Sequence, residues 1–282
     1  MRNLLSLLTL VTFFFFAGCS SKTTAVASDI PLPTGKVAAY MVGPHMDAKA
    51  AQSALEAAGF EVLATYEAFK DGQSIVFTNA ALKALGAKEN RGYAAVLRLL
   101  VDDERKQISI TNPIYFGKAF LQEEYDHKTA SEIAATLNKA FPGLKDSTDA
   151  WGFEDLEEYH FMMGMPYYKD YTELATGDQA ALVAQADKYK KGKEVIFKLQ
   201  LSPNSVLYGY NLGKRTSKFV NKIGTQNAQV LPYTILIENG KVKTLSAKFF
   251  LAVSYPQLTM GEFMTIATVP GAIEKDLAKP FK

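Results

Sequence analysis

The sequence predicts an α+β protein of antiparallel sheets backed by helices, and three observations carry that prediction. Short alternating apolar runs recur between turn signals, which is the pattern of half-buried antiparallel strands. Strand pairs are joined by tight polar turns, the clearest being Asn239-Gly240, the strongest short hairpin dipeptide. Between these hairpins lie stretches with helical caps and a 3.6-residue apolar period.

Taken in order, Lys36 to Val42 reads as the first strand. Asp47 caps a helix through Ala58, and Gly59 ends it before an extended segment from Phe60 to Tyr66. Ala48, Ala51, Ala54, Leu55 and Ala58 give that helix a small-residue face for close packing on a sheet. A second helix is expected from Asn79 to Leu85. Tyr93 to Val101 and Gln107 to Thr111 then frame the charged turn Asp102 to Lys106. Pro113 stops the strand, and a helix is expected from about Phe116 to Glu124. Thr129-Ala130-Ser131-Glu132 reads as a capping box before a helix ending near Ala140.

The second half is expected to hold strands at Glu194 to Leu201 and Val206 to Tyr210, then a helix from Lys214 to Ile223. Strands follow at Leu231 to Glu238 and Val242 to Ser254, and a last helix from Gly261 to Leu277 breaks at Pro270. The order strand, turn, strand, Gly-Lys, helix occurs at Tyr93 to Glu124 and again at Glu194 to Ile223. Tyr159 to Thr176 likewise parallels Lys248 to Thr268. Two related halves by internal duplication are therefore expected, with domains at 36–190 and 191–282.

The N-terminus carries the clearest functional information. Met1-Arg2-Asn3 is a short positive region, and Leu4 to Ala17 is apolar except for Ser6, Thr9 and Thr12. That run is short for a span, which needs roughly 20 apolar residues, and it ends in small residues as secretory signals do. Phe16-Ala17-Gly18-Cys19 resembles the lipobox of bacterial lipoproteins, with Phe16 where the family more often has Leu. The resemblance implies that residues 1–18 are removed and that Cys19 is lipidated. Ser20 and Ser21 then resemble an outer-membrane sorting signal, which implies a lipid-anchored, periplasm-facing protein, with the periplasmic face of the inner membrane as the other destination. Residues 19–35 are small and polar with two prolines, a flexible tether spanning on the order of 20 Å.

Composition excludes several classes of function. Removing Arg2 with the signal leaves 30 basic and 29 acidic side chains, so no strong field exists to attract nucleic acid. Cys19 is the only cysteine, so its lipidation leaves no thiol nucleophile, disulfide or thiolate metal ligand. Nucleophile-elbow, zinc-protease, Walker and dinucleotide-binding patterns are absent, and no cofactor is expected.

Residues 205–255 resemble the C-terminal half of the domain of unknown function family 302, on Asn211, Leu231-Pro232 and Glu238-Asn239-Gly240-Lys241. Gly59-Phe60 and Asn112-Pro113 fit its strand entry and turn, while Thr111 stands where many members have cysteine. The resemblance implies a TATA-binding-protein-like architecture and no particular activity.

Candidate site residues are few. His160, Met162, Met163 and Met165 are soft donors suited to Cu(I), but strand alternation would place them on two faces, and buried gap-filling methionines are the plainer reading. His45, at the mouth of the first helix, is the best acid or base for a hydrolase-type reading. Asp102-Asp103-Glu104 and the acidic run Glu154 to Glu158 read as solvated surface. Lys214, Lys218 and Lys222 fall on one face of the expected helix, where they suit anionic headgroups or the solvated side of an amphipathic helix. Tyr167, Tyr168 and Tyr171 cluster near Pro166, while Tyr208, Tyr210 and Tyr233 recur at strand positions; their chemistry suits a recognition surface and equally a sheet surface covered by helices, and it tilts the reading toward binding over catalysis. The expectation is a non-catalytic binding or structural module of the envelope, whose partner is a membrane through Cys19 and, beyond it, an envelope protein or small ligand.

Overall fold

The computed structural model describes Ile30–Lys282; the signal and Cys19 lie outside the described residues. The mixed α+β architecture with antiparallel sheets backed by helices is as the sequence predicts. The expected first strand is two, β1 (Lys36–Ala38) and β2 (Tyr40–Pro44), divided where Ala39 donates its amide to Asp149. Helix α1 (Ala48–Ala57) begins on the Asp47 side chain, which accepts from the Ala50 amide at 2.8 Å, and the chain leaves it through Gly59 at φ +85°. A hairpin follows, β3 (Glu61–Phe69) and β4 (Gly72–Thr78). Then come α2 (Ala80–Gly86), β5 (Leu97–Asp102) and β6 (Gln107–Thr111).

Pro113 stops β6 as expected, but it opens the helix rather than preceding it: α3 is Pro113–Leu121, capped by Asn112. In α4 (His127–Ala140) the cap is Asp126, not Thr129. The Asp126 carboxylate accepts both the Thr129 amide and its hydroxyl, so the expected capping box lies inside the first turn. Short strands β7 (Lys145–Asp146) and β8 (Ala150–Gly152) close this half.

The sequence reading omits β9 (Thr172–Thr176) and α5 (Gln179–Lys188), which precede β10 (Val195–Ser202) and β11 (Ser205–Tyr210). The helix expected over 214–223 is broken into α6 (Lys214–Ser217) and α7 (Val220–Ile223). β12 (Tyr233–Glu238) and β13 (Lys241–Thr244) pair across Asn239-Gly240. The second of these strands is much shorter than expected, because 247–254 is a helix, α8 (Ala247–Ser254). Its run Phe249 to Val253 is buried on every side, and a short all-apolar run carries no period to tell buried strand from buried helix. The last helix breaks near Pro270 as expected, into α9 (Met260–Thr265) and α10 (Val269–Ala278).

The strands form two antiparallel sheets, ordered β3-β4-β5-β6-β2-β7 and β10-β11-β12-β13-β9, with β1 and β8 as a separate pair. Each sheet therefore runs through two successive hairpins and is completed by the strand that precedes its first helix. The segments paired in the sequence are not equivalent in this scheme. Tyr93 to Glu124 holds β5, β6 and α3, whose counterparts by strand order are β12, β13 and α8, whereas Glu194 to Ile223 holds β10 and β11. Tyr159 to Tyr168 is irregular, while Lys248 to Ser254 is helical. The expected division between residues 190 and 191 falls inside the second unit, since β9 precedes it and pairs with β13.

Alternation along the first sheet decides how the two units meet. Ile75, Phe77, Leu97, Leu99, Ile108 and Ile110 face α1, α2 and α4, packing on Ala51, Leu55, Leu82, Ile133 and Leu137. The opposite face carries Tyr40, Ser74, Val76, Arg98, Leu100, Ser109 and Thr111. These are the residues of a wet sheet face, yet all are buried, because the segment 220–231 and α8 cover them. The strands of the second sheet's centre, β11 and β12, are buried along their whole length and are mostly apolar, with Ser205, Thr234 and Glu238 as polar exceptions. The units approach closely at Gly92, where a Cβ would meet Leu236 at 2.5 Å. No helix among the described residues is long and apolar enough to cross a membrane.

Candidate functional site

The expected site residues do not converge. His45 closes β2 against the turn after β5, its Nε2 2.7 Å from Asp103 Oδ1. A carboxylate is thus within hydrogen-bonding reach, but the pair lines neither cavity described below. It lacks the concave, water-excluding setting that acid-base catalysis requires. Asp102, expected on the surface, is buried. Its Oδ1 accepts the amides of Glu104 and Arg105, so it closes the turn rather than serving as half of a reactive pair. Glu157 pairs with Lys118.

The tyrosine-rich recognition surface does not form. Tyr168, Tyr208, Tyr210 and Tyr233 are buried, and only Tyr167 and Tyr171 of the cluster keep partial exposure. Burial pushes the hydroxyls of Tyr168, Tyr208, Tyr210 and Tyr233 upward from their ordinary value, because the phenolate would be desolvated. Tyr168 instead joins a buried polar cluster between the loop after α2 and the second sheet that sequence reasoning missed. Lys243 and Glu238, both nearly inaccessible, pair at 2.8 Å. Glu238 also accepts from the Asn90 amide at 3.0 Å and the Ser205 hydroxyl at 3.2 Å. Lys243 reaches the Asn90 side chain and lies 5.0 Å from the Tyr171 ring centre, while the Tyr168 hydroxyl donates to the Asn90 carbonyl. Arg91 sits over the Tyr168 ring and pairs with Glu123. Asn90 holds φ +60°, a conformation asparagine tolerates better than most residues. Nearly every donor has an acceptor, so this cluster is a fastening between units. The alternation of β13 placed Lys243 on a face, but only the tertiary partner makes that face an interior.

The lysines separate. Lys214 and Lys218 line an open groove of about 470 Å³ whose other walls include Glu67, Asp71 and Glu104. Lys222, beyond the break between α6 and α7, reaches the Thr265 carbonyl at 3.4 Å. The expected single basic stripe is therefore absent, and the groove is of mixed charge, a poor match for a polyanionic surface.

His160, Met162, Met163 and Met165 lie on the irregular segment between β8 and β9 rather than on a strand. Met163 is 95% exposed while Met165 packs against the core, so they stand on opposite sides of the loop. His160 lies against Tyr167, ring centres 4.5 Å apart. Among the described residues no group of three or more His, Cys, Asp or Glu side chains is placed to hold a metal ion. The loop does something else: Phe161 stacks on Phe263 of α9 at 5.3 Å. That stack brings exposed Met162 and Met163 beside a helix that exposes Met260 and Met264.

A second cavity, about 30 Å³, lies between the first sheet, α3 and α8. It is lined by Arg98, Thr111 and Gln229 at its polar end and by Phe116, Phe120 and Phe250 among its apolar walls. No family model, no curated protein and no solved structure matches the chain. The function must therefore be argued from these features, and the resemblance to the domain of unknown function family 302 has no family match to support it.

Proposed function

We propose that the protein is a lipid-anchored, non-catalytic binding module of the bacterial envelope, held by Cys19 at the periplasmic face of the outer membrane and docking an envelope protein through its methionine surface. The observation that carries the binding role is the exposure of Met162, Met163, Met260 and Met264 around the Phe161–Phe263 stack. Large exposed apolar side chains grouped on one surface mark interaction sites, and flexible thioethers adapt to a partner's shape. Against a hydrolase stands the setting of His45, paired with Asp103 at a partly exposed position that lines neither of the two cavities described. We also propose that the two units arose by duplication. The support is the strand order shared by five strands of each sheet, β3-β4-β5-β6-β2 against β10-β11-β12-β13-β9, with α1 and α5 in equivalent places and β7 an addition to the first sheet alone.

The test is photocrosslinking in the native envelope from a probe placed at Met163. The proposal expects one dominant adduct that is lost when Met260 and Met264 are changed to serine. Adducts that persist unchanged in that variant, or none at all from this surface, would remove the docking role.

A further inference from the structure

We propose that the cavity between the first sheet, α3 and α8 is a binding site for a small monovalent anion, of the halide or formate class, held by the guanidinium of Arg98. Arg98 sits on the central strand β5, is 5% exposed, and projects from the buried polar face of the first sheet. Its Nη2 donates to the Pro232 carbonyl at 3.1 Å, and the group lies 5.9 Å from the Phe250 ring centre. Its Nε has no acceptor among the described residues, and no carboxylate there comes within ion-pair distance. Every other buried cation in the neighbourhood has one: Arg91 has Glu123 and Lys243 has Glu238.

An arginine left in this state is a lone charge in a poorly polar interior, which costs several kcal/mol unless something compensates it. Neighbouring tyrosines do not, because burial holds Tyr40, Tyr233 and Tyr255 neutral, their hydroxyls raised well above the usual value. Desolvation lowers Arg98 itself only to about 10, so it remains charged at neutral pH. The space beside it, about 30 Å³, has room for one water or one small ion and not for a sulfate or a nucleotide. At the polar end the Thr111 hydroxyl is engaged with the Arg98 backbone at 2.9 and 3.3 Å, and Gln229 Oε1 has no donor among the described residues; an amide turned over would present its Nε2 donor to the anion, with Phe116 and Phe250 as apolar walls. Arg98 and Thr111 belong to the first unit, whereas Pro232, Gln229 and Phe250 belong to the second. A bound anion therefore adds to the contact between the units.

The experiment uses the protein purified in gluconate, an anion too large for the cavity, with bromide or formate exchanged in at constant ionic strength. The site predicts a saturable rise in Tm, about 3 to 6 °C at ten times the Kd, and its loss in Arg98→Met. Crystals of the unmodified protein grown in bromide should show an anomalous peak beside Arg98 Nε, a readout that stands even if Arg98→Met does not fold. A rise in Tm that is linear and unsaturated, or a cavity holding only water in bromide, would overturn the proposal.

Discussion

Replacing Lys243 with methionine keeps the aliphatic stem but strips the charge from the centre of the fastening between the units. Glu238 would keep the Asn90 amide and the Ser205 hydroxyl, at 3.0 and 3.2 Å, and lose the ammonium at 2.8 Å. Both side chains are at most 5% accessible, so water does not take the ammonium's place. Breaking a buried pair from one side costs about 3 to 5 kcal/mol, because the remaining charge is uncompensated. In a chain of this size each kcal/mol moves Tm by roughly 2 to 4 °C, so the expected drop is about 6 to 20 °C. Urea denaturation and thermal melting followed by circular dichroism measure it. Lys243→Met combined with Glu238→Gln should recover more than half of the loss, since the orphaned charge is then gone. A cost below about 1 kcal/mol for Lys243→Met, or a double variant less stable than Lys243→Met alone, would refute the argument.

Other consequences are open to direct measurement. Burial raises Tyr40, Tyr93, Tyr115, Tyr233 and Tyr255 well above their ordinary value, so the folded state binds these protons more tightly than the unfolded chain. The stability they contribute is full below about pH 10, the unfolded value, and is lost as pH rises from there through the folded values. Absorbance at 295 nm should show part of the 14 tyrosines titrating only with unfolding; all of them titrating near pH 10 in the native protein would contradict this. Asn112→Ala removes both the cap of α3, where Oδ1 accepts from Ile114 at 3.0 Å, and the bond from Nδ2 to the Ala38 carbonyl at 2.8 Å. It should cost about 2 kcal/mol in urea, against a few tenths for an uncapped position. His45→Ala breaks a partly exposed pair, so the same assay should find less than about 1 kcal/mol.

Much of the architecture was legible because it is local. Asp47, Pro113 and Asn239-Gly240 act on residues within a turn of themselves, and each did what its chemistry dictates. The hairpin of β3 and β4 was also within reach, since Asp71-Gly72 is a turn dipeptide and Gly72 lies against the Phe69 ring, where a Cβ would come within 2.0 Å. What was not legible depends on partners far along the chain. β4 went unread, and nothing local marks the polar face of β4, β5 and β6 as interior, because the residues covering Ser74, Arg98, Ser109 and Thr111 lie more than a hundred positions away, as Pro232 does for Arg98. The apolar run 249–253 was read as strand because complete burial erases the period that distinguishes helix from strand. Among candidate residues, the tyrosines could not be assigned to surface or core, because their two-sided chemistry suits a wet edge and a sealed core equally well. Lys214, Lys218 and Lys222 matched a helix that the chain breaks between Ser217 and Val220.

Intact-mass spectrometry of the protein extracted from its native envelope tests the central claim most directly, because a docking module at a membrane surface depends on its anchor. The account predicts a chain that begins at Cys19 and carries acyl chains on that residue, both lost in Cys19→Ala. A mature chain that retains residues 1–18, or one that begins elsewhere without lipid, would contradict it.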